Sequence, residues 1–334
     1  MELWLAVSFA LAFALTNGFH DAANAIATLV ASRGAAPGPA IALSAVFNLL
    51  GAILVGTAVA NTIAGIVTLG GDEAVAAIGA GALAATTWNL VTWWRGLPSS
   101  SGHALVGGLA GAALASGGAD AVRWGGLDGW KPVGVLGVLI ALAVSPVLGL
   151  ACGVAAIRLT RTALRRATRR VRRPIDWAQW GMSAALSFSH GANDAQKAMG
   201  VVGALLVAAG RLDTFSVPPW AMLACGAALT VGTALGGWRI VRTLGRRIFR
   251  LGPLDAFSSQ AASTAVILSS SFAGAPVSTT HVVASSVIGV GGGRRRWAHV
   301  RWAVVRSMAF AWLLTLPVSA VLAAATFEAW TSIA

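Results

Sequence analysis

The sequence predicts an all-α polytopic membrane protein made of two repeated halves in inverted topology, and three observations carry that reading. Of 334 residues, 57% are hydrophobic and only 10% charged, too little charge to cover a soluble surface. Apolar stretches of the ~20 residues that cross a bilayer recur from end to end. Two polar motifs inside those stretches occur twice, in the same order. The ~10-residue alternating segments of a membrane barrel are absent, and forty glycines suit helices packed closely in lipid.

The elements follow in order. The N-terminus, MELWLAVSFALAFALTNGFHD, has no basic leader and runs straight into polar residues, so it reads as a retained first span and not a cleaved signal. A span over 40–69 and a unit over 74–116 come next, then a span over 133–157. Beyond the basic stretch come spans over 176–208 and 219–238, a unit over 254–290, and a last span near 303–325. The organisation is a first membrane repeat over 1–157, a basic loop over 158–175 and a second, inverted repeat over 176–334.

Charge fixes the direction of the chain. The formal net charge of +13 could suggest nucleic acid, but the arginines lie between apolar spans. They are Arg158, Arg161, Arg165, Arg166, Arg169, Arg170, Arg172 and Arg173, then Arg239 to Arg250, then Arg294 to Arg296. The positive-inside rule makes these cytoplasmic loops, and no nucleic-acid partner is expected. With 158–173 in the cytoplasm, both termini fall outside a multi-pass plasma-membrane protein. Trp4, Trp124, Trp130, Trp177, Trp220, Trp297 and Trp330, near span ends, read as interfacial anchors. Cys152 and Cys225 read as small packing residues.

The repeat is legible by overlay. TNGFHDAANAIA (16–27) over SHGANDAQKAMG (189–200) matches Gly18 to Gly191 and Asp21 to Asp194, an offset of 173 residues. LPSSSGHALVGG (97–108) over APVSTTHVVASS (275–286) matches Pro98 to Pro276 and His103 to His281, an offset of 178. The charge rule makes equivalent motifs face opposite sides, the inverted arrangement common in secondary transporters. Each half is expected to have a broken first helix and a helical hairpin with a Pro-Ser/Thr tip near the midplane. Two full spans in place of each hairpin would satisfy the charge rule equally well.

Four polar elements then converge. Hydroxyls and free N–H groups at half-helix N-termini favour an anion, which assigns Ser99, Ser100, Ser101, Ser278, Thr279 and Thr280 to oxyanion binding. Asp21 and Asp194 would repel that anion while ionised and so need a cation. Asp21 with Asn24, and Asp194 with Asn193 and Lys197, are assigned to cation or proton coupling, and the two aspartates could hold a metal ion. Asn17, His20, His103, His190, Gln196 and His281 are candidate supporting groups. Adjacent residues on a helix point about 100° apart, so His20 and Asp21 do not share a face. No further carboxylate or cysteine completes a catalytic set, and no enzyme activity is expected.

These motifs, GFHDAANAIAT, WNLVTWWRGLPSSSGHALVGG, SHGANDAQKAMG and APVSTTHVVASS, resemble the inorganic phosphate transporter (PiT) family over nearly the whole chain. The resemblance implies import of inorganic phosphate driven by a cation gradient, ten to twelve membrane segments and a homodimer. Many members carry GANDxANA in both copies, whereas this second copy has Lys197 opposite Asn24. That Gln-Lys form resembles the bacterial branch, which implies proton coupling and a neutral metal-phosphate substrate. No resident cofactor is implied, only a coupling cation, H⁺ or Na⁺, and a divalent metal carried with phosphate. A sulfate permease of the same fold and a phosphate-sensing membrane receptor remain as alternatives.

Overall fold

The structure, a computed structural model, describes residues 1–129, 131–168 and 171–333. The expected anchor Trp130, the loop residues Arg169 and Arg170, and Ala334 lie outside the described residues. The first half contains α1 (Glu2–Ala31), α2 (Pro37–Leu54), α3 (Ala58–Ala64), α4 (Gly71–Arg95), α5 (Ser101–Gly117) and α6 (Gly134–Ala163). The second contains α7 (Arg172–Ala208), α8 (Pro219–Leu235), α9 (Trp238–Arg242), α10 (Pro253–Phe272), α11 (Thr279–Gly293) and α12 (Trp302–Ile333). Six of the described helices are long and apolar enough to cross a membrane, or seven when the bent α8–α9 pair counts as one.

Each helix of the first half has its equivalent six helices later, and the packing repeats accordingly. Helix α1 packs on α8 as α7 packs on α2, and α1 on α4 as α7 on α10. Helix α12 covers α5 and α4 as α6 covers α11 and α10. The halves are therefore interlocked: each one's last helix clasps the other's hairpin. Pro146 and Pro317 lie inside α6 and α12, at matching places in the two repeats.

Glycine sets the closest crossings. A β-carbon at Gly191 would collide with the Asn48 carbonyl, and one at Gly51 with the Phe188 carbonyl. In the equivalent pair of helices, Gly18 meets the Leu229 carbonyl and Gly232 the Leu15 carbonyl. These four contacts, two at each crossing, lay α1 and α7 backbone-to-backbone against α8 and α2. They hold the motif helices where the membrane interior would be.

The expected break in each first helix is not there. Helices α1 and α7 are continuous α-helices of 30 and 37 residues. Neither has an internal proline at its motif, and the motif side chains find partners on the hairpins, so nothing opens the backbone ladder. The breaks fall in the second helix of each half. Gly56, with φ of +88°, ends α2 before α3, and Gly236, with φ of +72°, ends α8 before α9, where the axis turns by 63°. These are left-handed conformations that favour glycine. The basic segment is also shorter as a loop than expected, since α6 runs to Ala163 and α7 starts at Arg172.

Both helical hairpins form as expected. Helices α4 and α5 meet through Gly96–Ser100, and α10 and α11 through Ala273–Ser278. The feet of the hairpins are clasped at equivalent positions: Ser116 donates to Glu73 at 2.6 Å in the first. In the second, Arg294 donates to both oxygens of buried Asp255 at 2.7 and 2.6 Å. Asp255 also accepts from the Gly252 N–H at 2.9 Å, capping α10. We expect Asp255→Asn to destabilise the protein near the lower end of the ~3–5 kcal/mol cost of breaking a buried pair, because Arg294 keeps 26% exposure. Thermal unfolding in detergent would read this, and an unchanged midpoint would mean the clasp is idle.

Candidate functional site

The two tips meet the two motif helices at one buried point. Ser100 precedes the first turn of α5 and its hydroxyl accepts from the His103 N–H at 3.3 Å. Ser278 does the same for α11 with the His281 N–H, also at 3.3 Å. Each serine thus caps its helix. The other first-turn N–H groups have no partner within their own helix, so two positive helix ends point at the same place. The Ser278 N–H is itself taken, by Ser145 of α6 at 3.2 Å.

Asp21 sits between the tips and is 2% exposed. Its Oδ2 accepts from Ser101 of the first tip at 3.1 Å, and its Oδ1 from Thr280 of the second at 2.9 Å. Oδ1 also accepts from Asn24 and His20, each at 3.1 Å, so the adjacent His20 and Asp21 side chains meet although helix geometry set them on different faces. The Asn24 amide donates further to Thr280 at 3.0 Å and Thr279 at 3.4 Å. Because its nitrogen must face the carboxylate, its Oδ1 is left buried without a partner. The other side of His20 lies 3.1 Å from both Thr92 and Ser99.

Asp194 has a different environment. Lys197 donates to its Oδ1 at 2.6 Å and to the Val277 carbonyl of the second tip at 3.0 Å. Its Oδ2 has no hydrogen-bond partner and lies 3.4 Å from His190 Nε2. The Asn48 amide donates to Thr233, so its carbonyl oxygen faces His190 Nδ1 at 3.1 Å and fixes the proton there. His190 Nε2, also without a hydrogen-bond partner, faces this carboxylate, a placement that a proton or a shared cation would satisfy. One ligand atom each from Asp21, His190 and Asp194 lie within 4.8 Å of one another. That set of two carboxylates and an imidazole fits a single small cation.

The remaining candidates are placed as follows. Asn193 donates to Ser271 at 3.2 Å and to the Ala275 carbonyl at 3.3 Å, with its Oδ1 unpartnered. Gln196 is structural: its carbonyl caps α3 by accepting from the Val59 N–H at 2.8 Å. His103 and His281 meet each other at 4.9 Å between ring centroids, and His281 lies against Trp312 at 3.9 Å with the rings tilted by 35°. Asn17 is buried with neither amide atom bonded and does not join this network. Sequence reasoning missed Thr92, Asn48, Ser271 and the Val277 carbonyl. Thr92 and Ser271 sit near equivalent places on α4 and α10, bonding the paired His20 and Asn193, so the overlay could have found them.

The site is closed to solvent. A cavity of about 680 Å³ lies beside it, lined by α3, the ends of α6 and α7, exposed Arg123 and the tip residues Ala273–Pro276. Its lining includes Ala275, whose carbonyl accepts from Asn193.

Two interlocked helical repeats with apolar, membrane-length helices and converging helix N-termini define a polytopic membrane protein of the transporter class. The phosphate transporter family (PHO4) matches residues 17–323, and the chain belongs to that family. It is 42% identical over 328 residues to a probable low-affinity inorganic phosphate transporter of Mycobacterium bovis, covering 97% of this chain and 76% of that protein. A Bacillus subtilis protein of the same description is 38% identical over 333 residues, covering 97% of this chain and 95% of that one. Among solved structures, a sodium-dependent phosphate transporter superposes with a TM-score of 0.87 at 26% identity, over the whole of both chains.

Proposed function

We propose that this chain imports inorganic phosphate across a bacterial plasma membrane by symport with a cation, holding phosphate between the two hairpin tips. The observation that carries the reading is Asp21, whose carboxylate takes a hydroxyl from each tip. While it is ionised and alone, it occupies the donors an anion needs and repels that anion. A proton, or a sodium ion shared with His190 and Asp194, removes the repulsion and releases Ser101 and Thr280. The freed hydroxyls, with those of Ser99 and Thr279 and the N–H groups beside Ser100 and Ser278, then receive phosphate. Binding of cation and anion is thereby coupled, in either order, by the same free energy.

Phosphate keeps a proton near neutral pH and can donate it, whereas sulfate cannot. Buried Asn24 Oδ1, next to Thr279 and Thr280 and lacking a partner, supports phosphate over sulfate. The neighbouring cavity, lined in part by Ala273–Pro276, supports a route to the second tip. In this reading the halves have inverted topology, both termini lie outside, the basic 158–173 segment is cytoplasmic, and the protein works as a homodimer. Rocking of one repeat against the other exposes the site to each side in turn. A neutral metal-phosphate is the alternative form of the cargo.

The test is uptake of labelled phosphate into liposomes holding the purified protein, with unlabelled sulfate or phosphate as competitor. Phosphate should compete and sulfate should not. Equal competition would move the assignment to a sulfate permease, and binding without uptake to a receptor. Ser101→Ala and Thr280→Ala should each raise half-saturation about tenfold or more, since a hydrogen bond to a charged group contributes about 1.5–3 kcal/mol. Unchanged half-saturation in both would mean that these hydroxyls serve only the carboxylate.

A further inference from the structure

The pseudo-dyad is broken at one place that matters chemically. Asn24 and Lys197 occupy equivalent positions on α1 and α7, each three residues after its aspartate. Asn24 reaches Asp21 and the tip threonines as a neutral amide. Lys197 reaches Asp194 and a tip carbonyl as an ammonium. Lys197 is 1% exposed and among the largest fully buried side chains, so water does not screen its charge. Long lysines near helix ends can reach water, but this one lies deep in the 37-residue α7 and turns inward.

The ligands of the ammonium are those of a bound monovalent cation: a carboxylate oxygen at 2.6 Å and a backbone carbonyl oxygen at 3.0 Å. Gly102, at the start of α5, leaves room for it, since a β-carbon there would stand 3.4 Å from Nζ. The group therefore sits where α7 and both hairpins meet. A mobile ion at this point would touch the same elements.

We infer that Lys197 is a tethered cation, permanently filling the second of two pseudo-symmetric cation positions and so lowering the number of mobile coupling ions by one. The inference rests on the phosphate-symport reading above. Asp21 and Asp194 carry two negative charges and Lys197 one positive, which leaves one charge for a mobile proton or sodium in the slot among Asp21, His190 and Asp194. Removing the ammonium creates a demand for a second ion. Lys197 is thus a residue that sets coupling stoichiometry, and it differs from the anion ligands of the tips.

The experiment uses the full-length chain, measuring phosphate uptake into liposomes and sodium-dependent thermal stabilisation in detergent without phosphate. In sodium-free medium Lys197→Asn should lose uptake at least about tenfold, because a buried charge is left without its partner. Raising sodium should restore it, with a steeper sodium dependence than the wild type. The same variant should gain thermal stabilisation by sodium beyond that of the wild type. Lys197→Met, which offers the ion no oxygen, should not be rescued. The double variant Asp194→Asn/Lys197→Asn, with the charge pair deleted, should lose the added sodium effect. A Lys197→Asn protein with wild-type sodium dependence in both assays would overturn the inference, as would a folded Lys197→Asn protein that no sodium concentration rescues or stabilises. Absence of phosphate uptake by the wild type would sink the symport reading, while the stabilisation assay would still decide the role of Lys197.

Discussion

Asp21→Asn should abolish cation-driven accumulation of phosphate while the protein still folds and inserts. Asparagine keeps the shape of the side chain but cannot gain or lose a proton, and it offers a cation one neutral oxygen. The donors around Asp21, namely Ser101, Thr280, Asn24 and His20, are those of an ionised carboxylate buried from water. Charge-assisted bonds of this kind are roughly twice as strong as neutral ones. The variant should therefore release the tip hydroxyls permanently. Phosphate would still bind, but nothing would tie its movement to a cation. Accumulation should fall to the level of protein-free liposomes, and near-normal accumulation would mean that the coupling site lies elsewhere.

The second large effect is structural and isolates the backbone crossing that positions both motifs. Gly191→Ala adds one methyl group where the Asn48 carbonyl already touches α7. Backbone cannot move aside as a flexible side chain does, so α2 and α7 must separate. The cost should reach or pass the upper end of the ~1–3 kcal/mol of overpacking, and Gly191→Val should give no folded protein. Gly181 supplies the control within the same helix, because a β-carbon there meets nothing within 4 Å. Gly181→Ala should be neutral or stabilising by up to about 1 kcal/mol through helix propensity. Thermal unfolding of the two variants side by side would read the difference, and equal midpoints would contradict the packing account.

Much of this was legible in the chain because charge and proline are expensive in lipid. A residue such as Asp194 or Pro276 inside an apolar run needs a reason, and the overlay of TNGFHD on SHGAND found the shared one. The hairpins were readable from Pro98 and Pro276 with their hydroxyl clusters. What the sequence could not show was where the helices would bend. The motif helices carry the polar residues and looked breakable, yet their side chains turn toward the tips and the backbones of α1 and α7 stay continuous. The bends at Gly56 and Gly236 gave no signal among forty glycines. Contacts between the halves were equally hidden: the pairing of Asp21 with Thr280 spans 259 residues of sequence. No local pattern marks such a contact. Lys197 was the exception, since its three-residue spacing from Asp194 on a helix already placed the two on one face.

Central to this account is the idea that a cation arriving near Asp21 frees Ser101 and Thr280 for phosphate. The most direct measurement is equilibrium binding of labelled phosphate to the purified protein, wild type and Asp21→Asn, at a series of sodium concentrations and then of pH values. For the wild type, phosphate affinity should rise at least about tenfold with one of the two cations, since two hydrogen bonds to a charged ligand become available. For Asp21→Asn it should be flat with respect to that same cation. Wild-type affinity that ignores both cations, or a cation dependence that survives in Asp21→Asn, would contradict it.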